Sequence, residues 1–170
     1  MLGYEPDDSF ILAGTGHRPK YCPCKYKDKH PWLQNLQGRL KLYLLGLDTA
    51  APDGIIVRTG GAIGWDTWLA QVALHLGLEL HLYLPFPDQG KKWPSDSREE
   101  YEKIKGLATE VNFTSETYYP KVFLDRDKQM IEGSSQIVSL LNPKVDSGGT
   151  YYTVGEAKKL NIPVINFWKD

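Results

Sequence analysis

The chain has 170 residues, of which 41% are hydrophobic and 24% are charged, close to the averages of globular proteins. This composition excludes a wholly disordered, collagen-like or coiled-coil chain, and the length fits one domain. The 20 Lys and Arg residues against 21 Asp and Glu residues give a net charge of −1, which argues against binding of nucleic acid or membrane surfaces through bulk positive charge.

The cysteine content and the hydropathy pattern predict where the protein works. Cys22 and Cys24 are too few and too close for a disulfide framework, so we expect a reducing compartment. The N-terminal residues show no basic segment followed by an apolar stretch, and no apolar run approaches the length of a membrane span. We therefore expect a cytoplasmic protein without a membrane partner.

Short β-rich runs alternate with stretches of helical hydrophobic spacing along the chain. The predicted strands cover residues 10–14, 55–57, 78–84, 110–114, 135–141 and 163–168. The predicted helices cover residues 31–47, 64–76, 95–107, 121–133 and 149–160. This alternation predicts one α/β domain over residues 1–170, with a mostly parallel central sheet of about six strands and helices on both faces.

Four segments that follow predicted strands are rich in glycine, hydroxyl, cationic or aromatic residues. They cover residues 14–19, 59–66, 85–94 and 142–153. In an open α/β sheet, ligands bind outside the carboxyl ends of the strands, at a switch in strand order. We therefore expect the four segments to meet at one edge of the sheet and to form the binding site.

The turn that contains Ser147, Gly148 and Gly149 leads into a predicted helix. Two glycines let the backbone approach a phosphate, and a helix N-terminus offers free N–H groups and a positive dipole end. Thr150 and Thr153 add hydroxyl groups. The alternative is an ordinary glycine turn in which a threonine caps the helix.

A second glycine turn, at Gly60 and Gly61, also leads into a predicted helix. Asp66 near the start of that helix either caps it or accepts a hydrogen bond from a ribose hydroxyl or a base amino group. The spacing is neither the dinucleotide fingerprint nor a P-loop. After the first strand, Arg18 is placed to bind a phosphate or carboxylate, and His17 to donate to a phosphate or to shuttle a proton. A solvated arginine and a structural histidine are the alternatives.

A zinc site and a stacking surface are the remaining interpretations of the loops. Cys22, Cys24, His17 and His30 lack the spacing of structural zinc sites, so a surface loop is favoured and no metal or cofactor is predicted. Four aromatic residues in the loops either stack on a nucleobase or pack in the core. They are Trp65, Trp93, Tyr151 and Tyr152.

Taken together, the loops resemble the YpsA-like branch of the SLOG superfamily. The matching segments are residues 15–19, 60–67, 85–89 with 93–94, and 147–154, and the resemblance covers nearly the whole chain in order. It implies a Rossmann-like three-layer sandwich that binds nucleotides or nucleotide-derived ligands, often as a homodimer or larger homo-oligomer. The expected ligand-binding residues are Gly14, Thr15, Gly16, His17, Arg18, Thr59, Gly60, Gly61, Gly64, Trp65, Asp66, Pro85, Phe86, Gln89, Trp93, Asn142, Ser147, Gly148, Gly149, Thr150 and Thr153.

The same superfamily includes the LOG phosphoribohydrolases, the DNA-processing protein DprA and signal-binding modules of antiviral defence systems. LOG enzymes carry the motif P-G-G-x-G-T-x-x-E. Thr153 and Glu156 keep the T-x-x-E spacing, but Ser147 replaces the proline, a tyrosine replaces the later glycine, and one extra residue precedes Thr153. In those enzymes the glutamate works with an arginine, and the candidates here are Arg126 and Arg18.

Two functional hypotheses follow. In the first, the loops bind a nucleotide-derived small molecule, such as an ADP-ribose derivative or a cyclic nucleotide, and the protein is a sensor of this molecule or sequesters it. In the second, the protein is a nucleoside-phosphate N-glycosidic hydrolase, with Glu156 and Arg126 as its catalytic residues. The departures from the LOG motif favour binding. DprA-like binding of single-stranded DNA would need a basic groove, and although four lysines cluster between residues 20 and 29, the net charge argues against a nucleic-acid partner.

Overall fold

A computed structural model describes residues 9–170 as six β-strands and five α-helices in strict alternation. The strands are β1 (Phe10–Gly16), β2 (Ile55–Thr59), β3 (Glu79–Leu84), β4 (Glu110–Phe113), β5 (Gln136–Leu140) and β6 (Val164–Asn166). The helices are α1 (Pro31–Ala50), α2 (Trp65–His75), α3 (Ser95–Leu107), α4 (Val122–Ile131) and α5 (Gly149–Lys159), and a short 3₁₀ helix covers Pro19–Tyr21.

The six strands form one sheet in the order β4-β3-β2-β1-β5-β6, and every neighbouring pair is parallel. This confirms the predicted Rossmann-like α/β architecture, with a sheet that is parallel throughout the described residues rather than mostly so. The order of the strands reverses between β1 and β5. The reversal leaves a crevice at the carboxyl ends of these two strands, where ligands of such sheets bind.

Helices cover both faces of the sheet and divide the core in two. The larger core packs α1, α2 and α3 against one face, and it includes the four leucines whose helical spacing predicted α1: Leu33, Leu36, Leu40 and Leu44. The smaller core packs α4 and α5 against the other face. Leu12 and Ala13 are neighbours on β1 but belong to different cores, because successive side chains of a strand point to opposite faces.

Several predicted boundaries differ in the structure, and three of them are instructive. β1 continues through Thr15 and Gly16, because these residues pair with Ser139 and Leu140 of β5. α1 extends to Ala50 rather than ending at residue 47. β6 is only three residues long, because its pairing with β5 ends at Asn166.

Gly14 and Gly16 allow α2 to lie close to β1. A Cβ atom on Gly14 would lie 2.2 Å from Cδ2 of Leu69, and one on Gly16 would lie 2.4 Å from Cγ of Trp65. Trp65 is fully buried as a result. Within residues 9–170, no helix is both long enough and apolar enough to cross a membrane.

Candidate functional site

A cleft of about 480 Å³ opens at the carboxyl ends of β1 and β5, at the reversal of the strand order. Its volume lies in the range of small-molecule sites. The end of β1 with the 3₁₀ helix, the start of α2, one side of α4 and the turn into α5 line it. The predicted residues among its lining are Gly14, Thr15, Gly16, His17, Arg18, Asp66, Arg126, Ser147, Gly148, Gly149 and Thr150.

The other predicted residues lie outside the lining of this cleft. They are Thr59, Gly60, Gly61, Gly64, Trp65, Pro85, Phe86, Gln89, Trp93, Asn142, Thr153 and Glu156. Several of them support the residues that do line it, as their contacts below show. The sequence predicted that the loop after β3 contributes to the site, but in the structure this loop does not line the cleft.

The start of α5 is open to the cleft. Gly148 precedes the helix with φ 92°, a conformation that favours glycine, and no side chain caps the helix. The first helical hydrogen bond runs from the Tyr152 N–H to the Gly148 carbonyl at 3.0 Å. The N–H groups of Gly149, Thr150 and Tyr151 have no acceptor within residues 9–170. With the positive end of the helix dipole, these donors form a site for an anion.

The start of α2 is closed, although its sequence looks similar. The Trp65 N–H donates to the His17 carbonyl at 3.2 Å, and the Thr67 N–H donates to the Ala62 carbonyl at 3.2 Å. A Cβ atom on Gly64 would lie 2.7 Å from the His17 carbonyl oxygen. Gly64 thus allows the start of α2 to pack against the loop after β1, and this turn offers the cleft few free donors.

Arg126 lies on α4 and is only 6% exposed. Its Nη1 donates to the carbonyls of Gly60 and Tyr83, and its Nε donates to Oδ1 of Asp127 at 2.7 Å. Nη2 has no acceptor within residues 9–170 and is the nitrogen left for a ligand. The arginine is thus held in one position at the wall of the cleft.

Asp66 is the buried carboxylate of the cleft. Its Oδ2 accepts from the Ala62 N–H at 3.1 Å. Burial raises the pKa of Asp66 to about 6, because the carboxylate loses more stabilisation from hydration than it regains from the positive charge of Arg126. The negative charge of Asp127 also raises this pKa. The side chain is therefore close to half protonated in mildly acidic solution, and it can accept or donate a hydrogen bond.

Asp127 is a cleft residue that the sequence analysis missed. Its Oδ1 accepts from Nε of Arg126, and its Oδ2 lies 2.9 Å from the hydroxyl of Thr153. Thr153 is buried and also lies 2.9 Å from the Gly149 carbonyl. The carboxylate thus joins α4 to the first turn of α5. The sequence shows that Asp127 follows Arg126, but it does not distinguish a largely buried ion pair in a binding site from a pair of exposed charges on a helix.

His17 joins the loops after β1 and β5. Its Nε2 accepts from the Asn142 N–H at 3.0 Å, which places the proton of the neutral ring on Nδ1. Burial lowers the pKa of His17, so the neutral form is favoured. Because Nε2 is occupied, a ligand has access at most to Nδ1. Asn142 shapes the second loop through its Oδ1, which accepts from the Lys144 N–H.

The outer rim of the cleft is cationic and aromatic. Arg18 and Lys20 are exposed, and Tyr21 retains 55% of its accessible surface. Nζ of Lys20 lies 4.8 Å from the centroid of the Tyr21 ring. The remaining lining residues that the sequence analysis did not select are Ala62, Phe123, Met130 and Val145.

Glu156 lies on the outer surface between α4 and α5, where it lines a small hollow with Leu124 and Tyr152. Its Oε1 pairs with Nζ of Lys159 at 3.1 Å. It is not part of the lining of the cleft. The carboxylate that the LOG motif suggested therefore does not share the cleft with Arg126, its suggested partner.

The aromatic residues that were candidates for stacking lie elsewhere. Trp65 is buried in the core, and Trp93 packs edge-on against Tyr101, with ring centroids 5.2 Å apart. Tyr151 and Tyr152 are exposed on α5 but do not line the cleft.

The two cysteines are buried thiols, and burial raises the pKa of Cys22 to about 12 and also raises that of Cys24. Nδ1 of His30 accepts from the Trp32 N–H at the start of α1. Across residues 9–170, no group of three His, Cys, Asp or Glu side chains is arranged to hold a metal ion.

Comparison with known structures relates the fold to two groups of proteins. The H. pylori protein DprA, whose structure describes its single-stranded DNA binding mode, superposes with a TM-score of 0.65 at 18% identity, over 94% of this chain and 65% of that one. DprA from Streptococcus pneumoniae superposes with a TM-score of 0.64 at 13% identity, and the chain spans half of its length. The protein TM1055 superposes with a TM-score of 0.57 at 18% identity, over 91% of this chain and 72% of that one.

Similar sequences occur in Bacillus. The chain is 29% identical over 157 residues to a UPF0398 protein of Bacillus cereus (strain B4264), covering 88% of this chain and 83% of the relative. It is 28% identical over 155 residues to a UPF0398 protein of Bacillus pumilus, covering 87% and 81%. The family described as the YspA SLOG family (YpsA) matches residues 12–164, which include every segment that lines the cleft. The chain therefore belongs to the YpsA family of SLOG proteins.

Proposed function

We propose that the cleft binds a nucleotide-derived small molecule and that the protein acts by binding rather than by hydrolysis. The observation that carries the proposal is the uncapped start of α5, whose free N–H groups line a cleft at the reversal of the strand order. Membership of a SLOG family fits a nucleotide-related role.

The phosphate of the ligand would lie at Gly148, Gly149 and Thr150. Backbone N–H groups donate there, and the helix dipole favours negative charge. Nη2 of Arg126 and the exposed Arg18 would add positive charge from the wall and the rim. Such a set of donors suits a phosphate ester, whose oxygens accept several hydrogen bonds at once.

The sugar or base of the ligand would contact Asp66. A buried carboxyl that already accepts one backbone hydrogen bond has its second oxygen available for a ribose hydroxyl or a base amino group. An ADP-ribose derivative or a cyclic nucleotide has both a phosphate and such groups. The biological role would be to sense this molecule or to sequester it, in a homodimer or larger homo-oligomer.

A hydrolase has less support from the site. Glu156 lies outside the cleft and pairs with Lys159. Of the cleft carboxylates in the described residues, Asp127 already accepts from Arg126 and lies beside Thr153, which leaves Asp66 as the acid with the fewest partners. A binding protein needs no carboxylate poised to activate water.

The test is one incubation of the purified protein with nucleoside monophosphates, ADP-ribose forms, cyclic dinucleotides and a short single-stranded oligonucleotide. Ultrafiltration and heat release are followed by chromatography with mass detection of both fractions. We expect an intact nucleotide to be retained and then released by heat. Free base with ribose phosphate in the filtrate would instead identify a hydrolase, and retention of the oligonucleotide alone would identify a DNA-binding protein.

A negative charge introduced at the start of α5 tests whether the nucleotide binds at this site. In Thr150→Glu the carboxylate enters the first turn of the helix, where it is compatible with the dipole and should not unfold the protein. It also enters the cleft, so we expect at least a tenfold loss of nucleotide affinity in calorimetry. Tyr152→Glu is the matched control, because Tyr152 is 58% exposed, does not line the cleft, and has its N–H already bonded to the Gly148 carbonyl. Equal affinities of the two variants would place the phosphate elsewhere.

A further inference from the structure

We infer that the base of the bound nucleotide stacks on the ring of Tyr21 and replaces the Lys20 ammonium that lies over this ring. The inference rests on the proposed function and narrows the ligand to phosphates that carry an aromatic base. Simple sugar phosphates would fill the α5 end of the cleft but leave the Tyr21 end empty.

Tyr21 is held firmly at the rim of the cleft. It ends the 3₁₀ helix, and its N–H donates to the Arg18 carbonyl at 3.0 Å. The Cys22 N–H donates to the Pro19 carbonyl at 2.9 Å, and the side chains of Pro19 and Cys22 are both buried. The backbone on either side of Tyr21 is thus anchored while its ring stays 55% exposed. A ring fixed in advance loses little freedom when a base stacks on it.

The other rings in the lining are already engaged. His17 is 8% exposed, its ring packs against that of Tyr21 with centroids 5.8 Å apart, and its Nε2 accepts from the Asn142 N–H. Phe123 packs edge-on against Phe86, with ring centroids 6.0 Å apart, and the Arg126 guanidinium lies 6.0 Å from its centroid. Tyr21 is therefore the ring of the cleft that offers the largest exposed surface to a base.

The Tyr21 ring is open enough to hold the Lys20 ammonium over it. The Lys20 Nζ lies 4.8 Å from the ring centroid, which is a cation–π contact made by an exposed side chain. Stacking of a base on an aromatic ring is stronger than such a contact at an exposed site. A base would thus displace the ammonium, and the released charge would then lie at the mouth of a cleft that holds a phosphate.

The experiment compares base-bearing phosphates with a phosphate that has no base. Calorimetry measures the affinities of AMP, GMP, ADP-ribose and a cyclic dinucleotide, each against ribose 5-phosphate. For Tyr21→Ala we expect about a tenfold or greater loss for the base-bearing probes that the wild type binds, and less than a twofold change for ribose 5-phosphate. Tyr21→Phe keeps the ring and should retain wild-type affinities.

Two further variants separate stacking from charge and from general effects. Tyr26→Ala removes a tyrosine of the same loop that is 67% exposed but lines a different groove, so we expect no change with any probe. Lys20→Ala removes a positive charge, so it should weaken the binding of ribose 5-phosphate. Because it also removes the ammonium that the base must displace from the Tyr21 ring, the advantage of base-bearing probes over ribose 5-phosphate should be at least as large as in the wild type.

The outcomes distinguish this inference from the function on which it rests. If Tyr21→Ala leaves the base-bearing probes unchanged, or weakens ribose 5-phosphate equally, stacking on Tyr21 is wrong although the cleft still binds phosphates. If the wild type binds none of the probes, the proposed function fails and this inference fails with it. Circular dichroism and the unfolding midpoint of each variant show that the fold is kept.

Discussion

Two buried titratable residues of the cleft respond to pH in opposite directions. Burial lowers the pKa of His17, so the unfolded chain binds more protons and stability rises with pH through the window below 6.5. Burial raises the pKa of Asp66 from 3.8 to about 6, so the folded protein binds more protons between these values. The contribution of Asp66 to stability is therefore greatest at low pH and is lost as pH rises through about 6.

Asp66→Asn isolates the contribution of the carboxyl group. The amide oxygen can still accept from the Ala62 N–H, but it carries no charge to desolvate. We expect the difference in the free energy of unfolding between the variant and the wild type to shift in favour of the variant by about 1–3 kcal/mol as the pH rises from 4 to 7.5. Urea unfolding at four pH values measures the difference, in which the effect of His17 cancels. An equal difference at every pH would show that the carboxyl group is not desolvated by the fold.

At the scale of elements, the contact between β1 and α2 determines the shape of the cleft floor. Gly16 ends β1 directly over Trp65, and a Cβ atom on Gly16 would clash with Cβ, Cγ and Cδ1 of the tryptophan. The Trp65 Cβ is fixed by the helix backbone, so this clash cannot be relieved by side-chain rotation alone. At the same helix start, the Trp65 N–H donates to the His17 carbonyl. Displacement of α2 would therefore shift Asp66 and the loop after β1 together.

Gly16→Ala should destabilise the protein by about 2–3 kcal/mol, because the added methyl group overpacks a fixed contact. Gly38→Ala is the matched control, since Gly38 lies in α1 and an added Cβ meets nothing within 4 Å. We expect the control to gain about 0.5–1 kcal/mol, because alanine favours the helix and restricts the unfolded chain. Guanidinium unfolding of both variants measures the contrast. Similar stabilities would mean that α2 adjusts freely on β1.

The sequence predicted the elements better than the roles of the loops. Alternating strands and helices and the leucine spacing of α1 are local patterns, so they were readable directly. The two glycine turns look alike in sequence, yet the structure closes one and leaves the other open. The difference comes from partners far along the chain: the His17 carbonyl ties the start of α2, and Arg126 binds Gly60 across 66 positions. Asp127 was missed for the same reason, because its partner Thr153 lies on another helix.

On the scale of the whole molecule, the cleft is assembled from segments spread over most of the chain. Its lining residues run from Gly14 to Thr150 and come from both faces of the sheet. The net charge of −1 does not predict how charges are grouped at this edge, where the cleft is lined by three cationic side chains and two carboxyl groups: Arg18, Lys20, Arg126, Asp66 and Asp127. Binding at such a site should depend on the intact sheet, because β1 and β5 are neighbours in the sheet but are separated in sequence by β2, β3 and β4, which must fold for the two strands to pair.

Equilibrium unfolding tests whether residues 1–170 behave as one cooperative unit. The parallel sheet runs through both cores, so no part of the described chain has a core of its own apart from the sheet. We expect tryptophan fluorescence, which reports on Trp65 and Trp68 in the larger core, to change together with far-ultraviolet circular dichroism.

A nucleotide at 100 times its dissociation constant should add about 2.7 kcal/mol to the free energy of unfolding in both signals. If the midpoint also rises with protein concentration, unfolding is coupled to dissociation of a homo-oligomer. Two separate transitions, of which only one responds to the nucleotide, would show that the cleft belongs to a part of the chain that folds independently.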